Sequence, residues 1–221
     1  MEIINNTQKE IIGVFFTVSD SEHFYLSGGT ALAYFYLKHR RSNDLDFFTA
    51  EEELVLPVSY HLEKALKVKK MDIQRHREVH SFVELLVKTK DETTIVHLGC
   101  DAAFRLEQVK EFPDHPGLKV DSLVDIAVNK LLALFGRATL RDFIDVYFLI
   151  RQAKFTCEEL MDKAKMKDPG FDLYWLGIAL ERINTFKEDS AEMLLLVEPV
   201  DFKEMLVFFN SWRQKISKEL L

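Results

Sequence analysis

Apolar residues in the first third of the chain follow helical spacing in some segments and extended spacing in others. Residues 5–18 predict an opening helix, and residues 23–26 predict a short buried strand that runs into Ser27-Gly28-Gly29-Thr30. Helical spacing resumes at Ala31 and ends near residues 38–41, where cations complement the carbonyl end of the helix dipole. The pattern therefore predicts helix, strand, glycine turn and helix, in that order.

Extended segments dominate the next part of the chain. Residues 44–49 predict a second strand, and residues 60–68 predict a helix. Three further segments, residues 73–76, 81–88 and 93–99, read as strands of a meander whose turns carry charged and polar residues. This order of elements indicates an α+β fold.

The C-terminal part reads as helices throughout. Thr156 and Glu159 have the spacing of a capping box that opens one of them. Several of these helices carry apolar stripes that require a partner face. We place a boundary near residue 152, which gives a domain over residues 1–152 and a helical region over residues 153–221. The predicted helices cover residues 122–135, 140–150, a segment from residue 156 onward, 171–186 and 202–220.

Composition narrows the class of protein. With 221 residues, 48% of them hydrophobic, the chain can bury a core without disulfide bonds. Cys100 and Cys157 lack the spacing of a metal site. The chain begins without a basic targeting segment and has no apolar run long enough to span a membrane, so we expect a cytoplasmic protein. A formal net charge of −7 argues against non-specific coating of nucleic acid, although local basic clusters remain available for RNA.

The glycine turn is the first candidate for chemistry. Gly28 and Gly29 let the backbone approach an anion closely, and the helix that follows offers unpaired N–H groups to a phosphate. Thr30 or Ser27 could add a hydroxyl donor. A Gly-Gly pair alone is also typical of an ordinary turn between strand and helix.

Two aspartates form the second candidate. In a strand, Asp44 and Asp46 lie on one face while Leu45 and Phe47 face the core. Two carboxylates held together repel unless a cation lies between them, and carboxylate oxygens suit Mg²⁺. A polar turn leading into a strand is the alternative for the aspartates alone, but a phosphate-binding turn one helix upstream favours a metal and nucleotide site.

A third group of charged residues follows on two predicted helices. Lys130 precedes Arg137 and Arg141 at helical intervals, and Asp142 and Asp145 lie on the second helix. These side chains could line a functional face of the helix pair. They could equally be a surface arrangement in which Arg141 pairs with Asp145.

These stretches resemble the nucleotidyltransferase superfamily of the polymerase-β type, and more closely the AbiEii/AbiGii toxin family, which is related to the MenT toxins. The matching segments are YLSGGTALA, RRSNDLDFF and VDIAVNKLLALFGRATLRDFIDVYFL, within residues 25 to about 150. The resemblance implies a mixed β-sheet flanked by helices and followed by a helical bundle. It also implies transfer of a nucleoside monophosphate from an NTP to an acceptor hydroxyl.

The resemblance further implies roles for individual residues. Asp44 and Asp46 would be catalytic and would bind Mg²⁺ or Mn²⁺, and Lys130 would be catalytic and contact the nucleotide phosphates. Asp142 or Asp145 would be the later functional aspartate: Asp142 follows Arg141, and Asp145 could instead anchor the helix. The acceptor would be RNA, such as a tRNA end, and the setting a toxin with an antitoxin partner. The implied nucleotide-binding residues are Gly28, Gly29, Thr30, Arg40, Ser42 and Lys130.

One position departs from the family pattern. Where many relatives carry a third acidic residue in the last strand of the meander, this chain has His97. His97 could act as a base, bind a softer metal, or be a core histidine bonded to a backbone carbonyl. Two alternative functions therefore stay open: a catalytically degenerate protein that binds nucleotide or a partner, and an enzyme that modifies a small molecule such as an antibiotic.

Overall fold

The computed structural model describes residues 2–221, which form two compact units. The sheet unit consists of the chain up to Tyr36 together with Arg41–Ser122, and the helical unit consists of Leu37–Arg40 with Leu123–Leu221. The division after Ser122 differs from the predicted boundary near residue 152. Among residues 2–221, no helix combines the length and apolar composition that crossing a membrane requires.

The sheet unit contains three helices and seven strands. Their order is α1 Asn6–Phe15, β1 Tyr25–Ser27, α2 Gly28–Ala31, β2 Asp44–Thr49, α3 Val55–Val68, β3 Asp72–Val79, β4 Phe82–Lys88, β5 Thr93–Cys100, β6 Lys110–Phe112 and β7 His115–Val120.

These elements confirm the opening helix, the strand over residues 44–49 and the three-stranded meander, and they correct several boundaries. α1 ends at Phe15 rather than at residue 18, β1 covers Tyr25–Ser27 rather than residues 23–26, and α3 begins at Val55 rather than at residue 60. α2 begins at Gly28 rather than at Ala31, and continues as a wider π-helical segment over Leu32–Leu37. The early start follows from the backbone of Gly28, whose positive φ of 70° turns the chain directly from strand into helix.

All seven strands form one mixed sheet in the order β3-β4-β5-β2-β1-β7-β6. The central strand β2 runs antiparallel to β1 and parallel to β5. On one face of the sheet Leu45, Phe47 and Val96 are fully buried, and Phe15 of α1 stacks on Phe47 with ring centroids 3.8 Å apart. Side chains on the other face of β2 are only half-buried, so this face is where polar groups can meet a ligand.

The helical unit contains five helices, which extend two of the predicted ones by a residue or two and confirm the Thr156 capping box. Its core includes Phe143 and Phe209, whose rings meet edge to face at 4.9 Å. Because α4 packs against α5, α6 and α7, the two helices before residue 152 belong with those that follow. The helices are α4 Leu123–Arg137, α5 Leu140–Arg151, α6 Cys157–Lys167, α7 Leu173–Glu181 and α8 Phe202–Glu219.

A buried ionic cluster around Asp145 joins three segments of the helical unit. The fully buried carboxylate of Asp145 accepts hydrogen bonds from Arg40 Nε at 2.7 Å and Arg40 Nη2 at 2.8 Å. His39 Nε2 and Lys130 Nζ each lie 2.8 Å from the same carboxylate. The side chains around Asp145 thus come from the Leu37–Arg40 segment and from α4.

The protonation states of the cluster follow from this geometry. Burial alone would raise the pKa of Asp145, but the charges of Arg40 and Lys130 and the hydrogen bonds from Arg40 and His39 hold that pKa well below its usual range. Burial lowers the pKa of His39, so its ring is neutral and donates from Nε2. One carboxylate therefore lies among two cations and a neutral imidazole.

We expect Asp145→Asn to lower the free energy of unfolding by about 3 to 5 kcal/mol at pH 7, because it leaves two cations without their buried counter-charge. Since the pKa of Asp145 is lower in the folded chain than the roughly 3.9 of an unfolded aspartate, this stabilisation is present above that pH and is lost as the pH falls toward the folded pKa. Urea unfolding of both proteins between pH 3 and 7 should show the difference narrowing at acid pH.

Asp162→Asn is the control for this measurement, because Asp162 is exposed on α6. Its free energy of unfolding should stay within about 0.5 kcal/mol of the unsubstituted protein. An Asp145→Asn protein as stable as the control at pH 7 would contradict a stabilising role for the cluster.

Candidate active site

Gly28 and Asp46 lie against each other where β1 turns into α2. Ser27 is paired with Asp46 across the antiparallel strands, which brings the turn beside the aspartate. A Cβ atom added to Gly28 would overlap Asp46 Oδ2 and lie 2.7 Å from Asp46 Cγ. Both the positive φ and the missing side chain of Gly28 are therefore needed for the turn to approach this carboxylate.

The predicted pair of aspartates lies on one face of β2. Asp44 and Asp46 are half-buried, and Leu45 and Phe47 between and beside them are fully buried on the opposite face. Thr30 in the first turn of α2 donates from its hydroxyl to the carbonyl oxygen of Asp44. This bond fastens the helix that begins at the glycine turn to the strand that carries both carboxylates.

The geometry suits a divalent cation shared with a substrate. Asp44 and Asp46 offer hard carboxylate oxygens, and the missing side chain of Gly28 lets Asp46 Oδ2 lie against the glycine turn. No group of three or more His, Cys, Asp or Glu side chains within residues 2–221 is arranged to hold a metal ion. Mg²⁺ in proteins is commonly held by one or two carboxylates together with waters and substrate phosphates.

Buried hydrogen bonds support the strand beneath the turn. Ser27 Oγ donates to Oδ2 of the fully buried Asp121 at 2.7 Å, and Arg105 pairs with the other oxygen of that carboxylate. The backbone N–H of Asp121 donates to the carbonyl of Leu26 at 2.9 Å, which continues the pairing between β1 and β7. Ser27 is thus a structural residue here, and its hydroxyl points to Asp121.

Ser42 is the predicted nucleotide-binding residue nearest the aspartates along the chain. It is buried, and its backbone carbonyl accepts a hydrogen bond from Gln8 Nε2 at 2.8 Å. This contact fixes the segment that leads into β2. The predicted contact of Ser42 with a nucleotide stays a prediction.

His97 lies directly beside Asp46 in the parallel pairing of β2 and β5. Its Nδ1 is 2.8 Å from Asp46 Oδ1, and its Nε2 is 3.3 Å from Oε2 of Glu84 on β4. Burial lowers the pKa of His97, but hydrogen bonding to Asp46, the charge of Asp46 and hydrogen bonding to Glu84 raise it more, so the net pKa lies above its ordinary value. His97 is therefore bonded to carboxylates and not to a backbone carbonyl.

Glu84 was not among the residues singled out in the sequence. The alternation of β4 gave the available signal, since it puts Phe82, Glu84 and Leu86 on the half-buried face of the strand. The sequence of β4 does not indicate the register in which it pairs with a neighbouring strand, so the contact of Glu84 with His97 could not be predicted.

The remaining predicted site residues lie in the helical unit. Arg40 and Lys130 contact Asp145. Asp142 is fully buried and accepts hydrogen bonds from the backbone and hydroxyl of Thr139 and from Arg137, which makes it part of the cap of α5. The predicted phosphate contacts of Arg40 and Lys130 and the catalytic role of Asp142 stay predictions.

Solved structures of similar fold include two from Helicobacter pylori. A candidate nucleotidyltransferase superimposes with a TM-score of 0.63 at 20% identity, covering 98% of this chain and 97% of that one. JHP933 superimposes with a TM-score of 0.56 at 21% identity over 96% and 90% of the two chains. The MenT4 nucleotidyltransferase toxin of Mycobacterium tuberculosis gives 0.52 at 17% identity over 95% and 85%. At these identities the similarity establishes the nucleotidyltransferase fold.

Sequence comparison adds a relative and a family. A protein of Aquifex aeolicus (strain VF5) named uncharacterized protein aq_aa25 is 27% identical over 215 residues, which is 95% of this chain and 96% of that protein. The model of the family described as nucleotidyl transferase AbiEii toxin, type IV TA system, matches residues 13–211. Together with the glycine turn beside Asp46, this match means that the chain belongs to the AbiEii family of nucleotidyltransferase toxins and is an enzyme of that class.

Proposed function

We propose that the protein transfers a nucleoside monophosphate from an NTP to an acceptor hydroxyl, in a reaction that requires Mg²⁺ or Mn²⁺. The observation that carries the proposal is the contact between the Gly28 turn and Asp46, because it joins a phosphate-binding feature to a metal-binding one. RNA, such as a tRNA end, is the proposed acceptor, and an antitoxin is the proposed partner, as expected of a toxin family.

The residues of the sheet unit have distinct tasks in this proposal. Asp44 and Asp46 hold the divalent cation, and the Gly28-Gly29 turn with Thr30 binds the phosphates at the N-terminus of α2 through backbone N–H groups. The cation, when bound, neutralises charge that develops on the transferred phosphoryl group and its leaving group. Thr30 keeps the two parts in register through its bond to the Asp44 carbonyl.

We expect Asp46→Asn to reduce NTP-dependent labelling of RNA by at least about 100-fold, because removing a charge from the metal site removes transition-state stabilisation worth about 3 kcal/mol or more. The measurement is incubation of the protein with total RNA, each α-³²P-labelled NTP in turn, and Mg²⁺ or Mn²⁺, followed by gel analysis. Labelled RNA would identify both the nucleotide and the acceptor.

Asp72→Asn is the matched control, because Asp72 is an exposed aspartate on the edge strand β3. It should label RNA as the unsubstituted protein does. Equal labelling by Asp46→Asn would remove the metal assignment. If the unsubstituted protein labels only small hydroxylated molecules, the acceptor is not RNA. If it labels nothing, and no NTP raises its melting temperature in the presence of Mg²⁺, the protein is better described as a catalytically degenerate binding protein.

We expect Gly28→Ala to abolish labelling and to lower the free energy of unfolding by more than about 1 to 2 kcal/mol. An L-residue at positive φ costs about that much by itself, and the added methyl group also overlaps the Asp46 carboxylate. Urea unfolding and the labelling assay measure the two effects.

Gly117→Ala separates the two contributions. Gly117 has a φ of 83°, but nothing lies within 4 Å of an added Cβ, so this variant experiences the backbone strain without the overlap. It should lose only about 1 to 2 kcal/mol of stability, less than Gly28→Ala, and keep its activity. A Gly28→Ala protein that labels RNA as well as Gly117→Ala does would show that close approach to Asp46 is not required.

A further inference from the structure

A row of three ionisable side chains crosses three adjacent strands of the sheet. His97 on β5 is the direct partner of Asp46 on β2 and of Glu84 on β4. The three side chains lie on the half-buried face that carries the proposed metal site, with 20%, 21% and 30% of the side chains of Asp46, His97 and Glu84 exposed. The register of the sheet therefore places an imidazole between two carboxylates.

The two oxygens of Asp46 face different neighbours. Oδ1 lies 2.8 Å from Nδ1 of His97, whereas Oδ2 is the oxygen that a side chain on Gly28 would overlap. The bond to His97 thus orients the carboxylate so that its second oxygen faces the glycine turn. That second oxygen is the one available to a cation that also contacts bound phosphates.

The imidazole of His97 also has contacts on the side that faces away from Asp46. Nε2 of His97 lies 3.3 Å from Glu84 Oε2, and the ring of Phe82 lies beside it with centroids 5.4 Å apart. Nδ1 and Nε2 of the ring are thus each engaged by a carboxylate, Nδ1 by Asp46 and Nε2 by Glu84. This arrangement argues against His97 as the base or as a metal ligand.

We propose that His97 and Glu84 together are positioning residues for Asp46, with Glu84 orienting the imidazole and the imidazole orienting the carboxylate. They replace in this way the third acidic residue that the resemblance leads one to expect at position 97. The inference rests on the proposed metal site of Asp44 and Asp46. Outer partners of a metal ligand typically change metal affinity about 10- to 100-fold when they are removed.

Manganese affinity tests the inference without catalysis. Mn²⁺ alone is titrated into each protein, and the free ion is measured by its electron paramagnetic resonance signal. His97→Phe keeps a ring but removes both nitrogens, so it should weaken Mn²⁺ binding about 10- to 100-fold. His97→Asn keeps a donor near the position of Nδ1 and should retain most of the affinity.

Glu84 is tested through its dependence on His97. Glu84→Leu should weaken Mn²⁺ binding in the unsubstituted background and have no further effect in the His97→Phe background, because Glu84 acts only through the imidazole. Glu63→Leu is the control, since Glu63 on α3 also pairs with a basic side chain, Arg75, away from this row. It should leave the affinity unchanged, and melting curves check that each variant folds.

The outcomes separate this inference from the proposed function. If Asp46→Asn weakens Mn²⁺ binding but His97→Phe and Glu84→Leu do not, the positioning role is wrong and the metal site stands. If the unsubstituted protein does not bind Mn²⁺, or Asp46→Asn binds it equally well, both are wrong. If His97→Phe does not fold, Glu84→Leu is compared in the unsubstituted and the His97→Asn backgrounds. Asn is too short to reach Glu84, so Glu84→Leu should weaken Mn²⁺ binding only in the unsubstituted background. An equal loss of affinity in both backgrounds would contradict the positioning role of Glu84.

Discussion

The approach of the Gly28 backbone to the Asp46 carboxylate is the constraint on which the candidate site depends. It requires a residue without a side chain, a positive φ, and the antiparallel pairing that sets Ser27 opposite Asp46. The contacts around it preserve this approach: Ser27 is held by Asp121, and Thr30 is held by the Asp44 carbonyl. A phosphate-binding turn and a pair of acids are thereby kept together by the sheet itself.

Two groups of aspartates in the protein differ in how deeply they are buried. Asp121, Asp125, Asp142 and Asp145 are fully buried, and each has a cationic partner within its own unit, namely Arg105, Lys167, Arg137, and Arg40 with Lys130. Such pairing is what allows a carboxylate to remain ionised away from water.

Asp44 and Asp46 differ from that group because they are half-buried and lie side by side on one strand face. Two adjacent carboxylates repel each other, and in the proposed site a divalent cation would offset that repulsion. This contrast in burial separates the two acids of the proposed metal site from the acids that lie in the interior of the fold. In the same row Glu84 supplies a carboxylate next to His97, the position at which the family resemblance predicts a third acid.

Strand alternation and local motifs in the sequence were enough to identify β2, the shared face of Asp44 and Asp46, the glycine turn, the meander and the Thr156 cap, because each depends on backbone periodicity or on residues a few positions apart. Strands β6 and β7 were missed, since neither has a clear alternation of apolar and polar residues, and β7 lies in the sheet between β6 and the distant β1. Three features were determined by the tertiary structure alone. Asp145 contacts Arg40, which is 105 positions away, and Glu84 contacts His97. Helices α4 and α5 pack with the later helices. These outcomes depend on strand register and helix packing, which bring together residues whose positions in the chain carry no mutual signal.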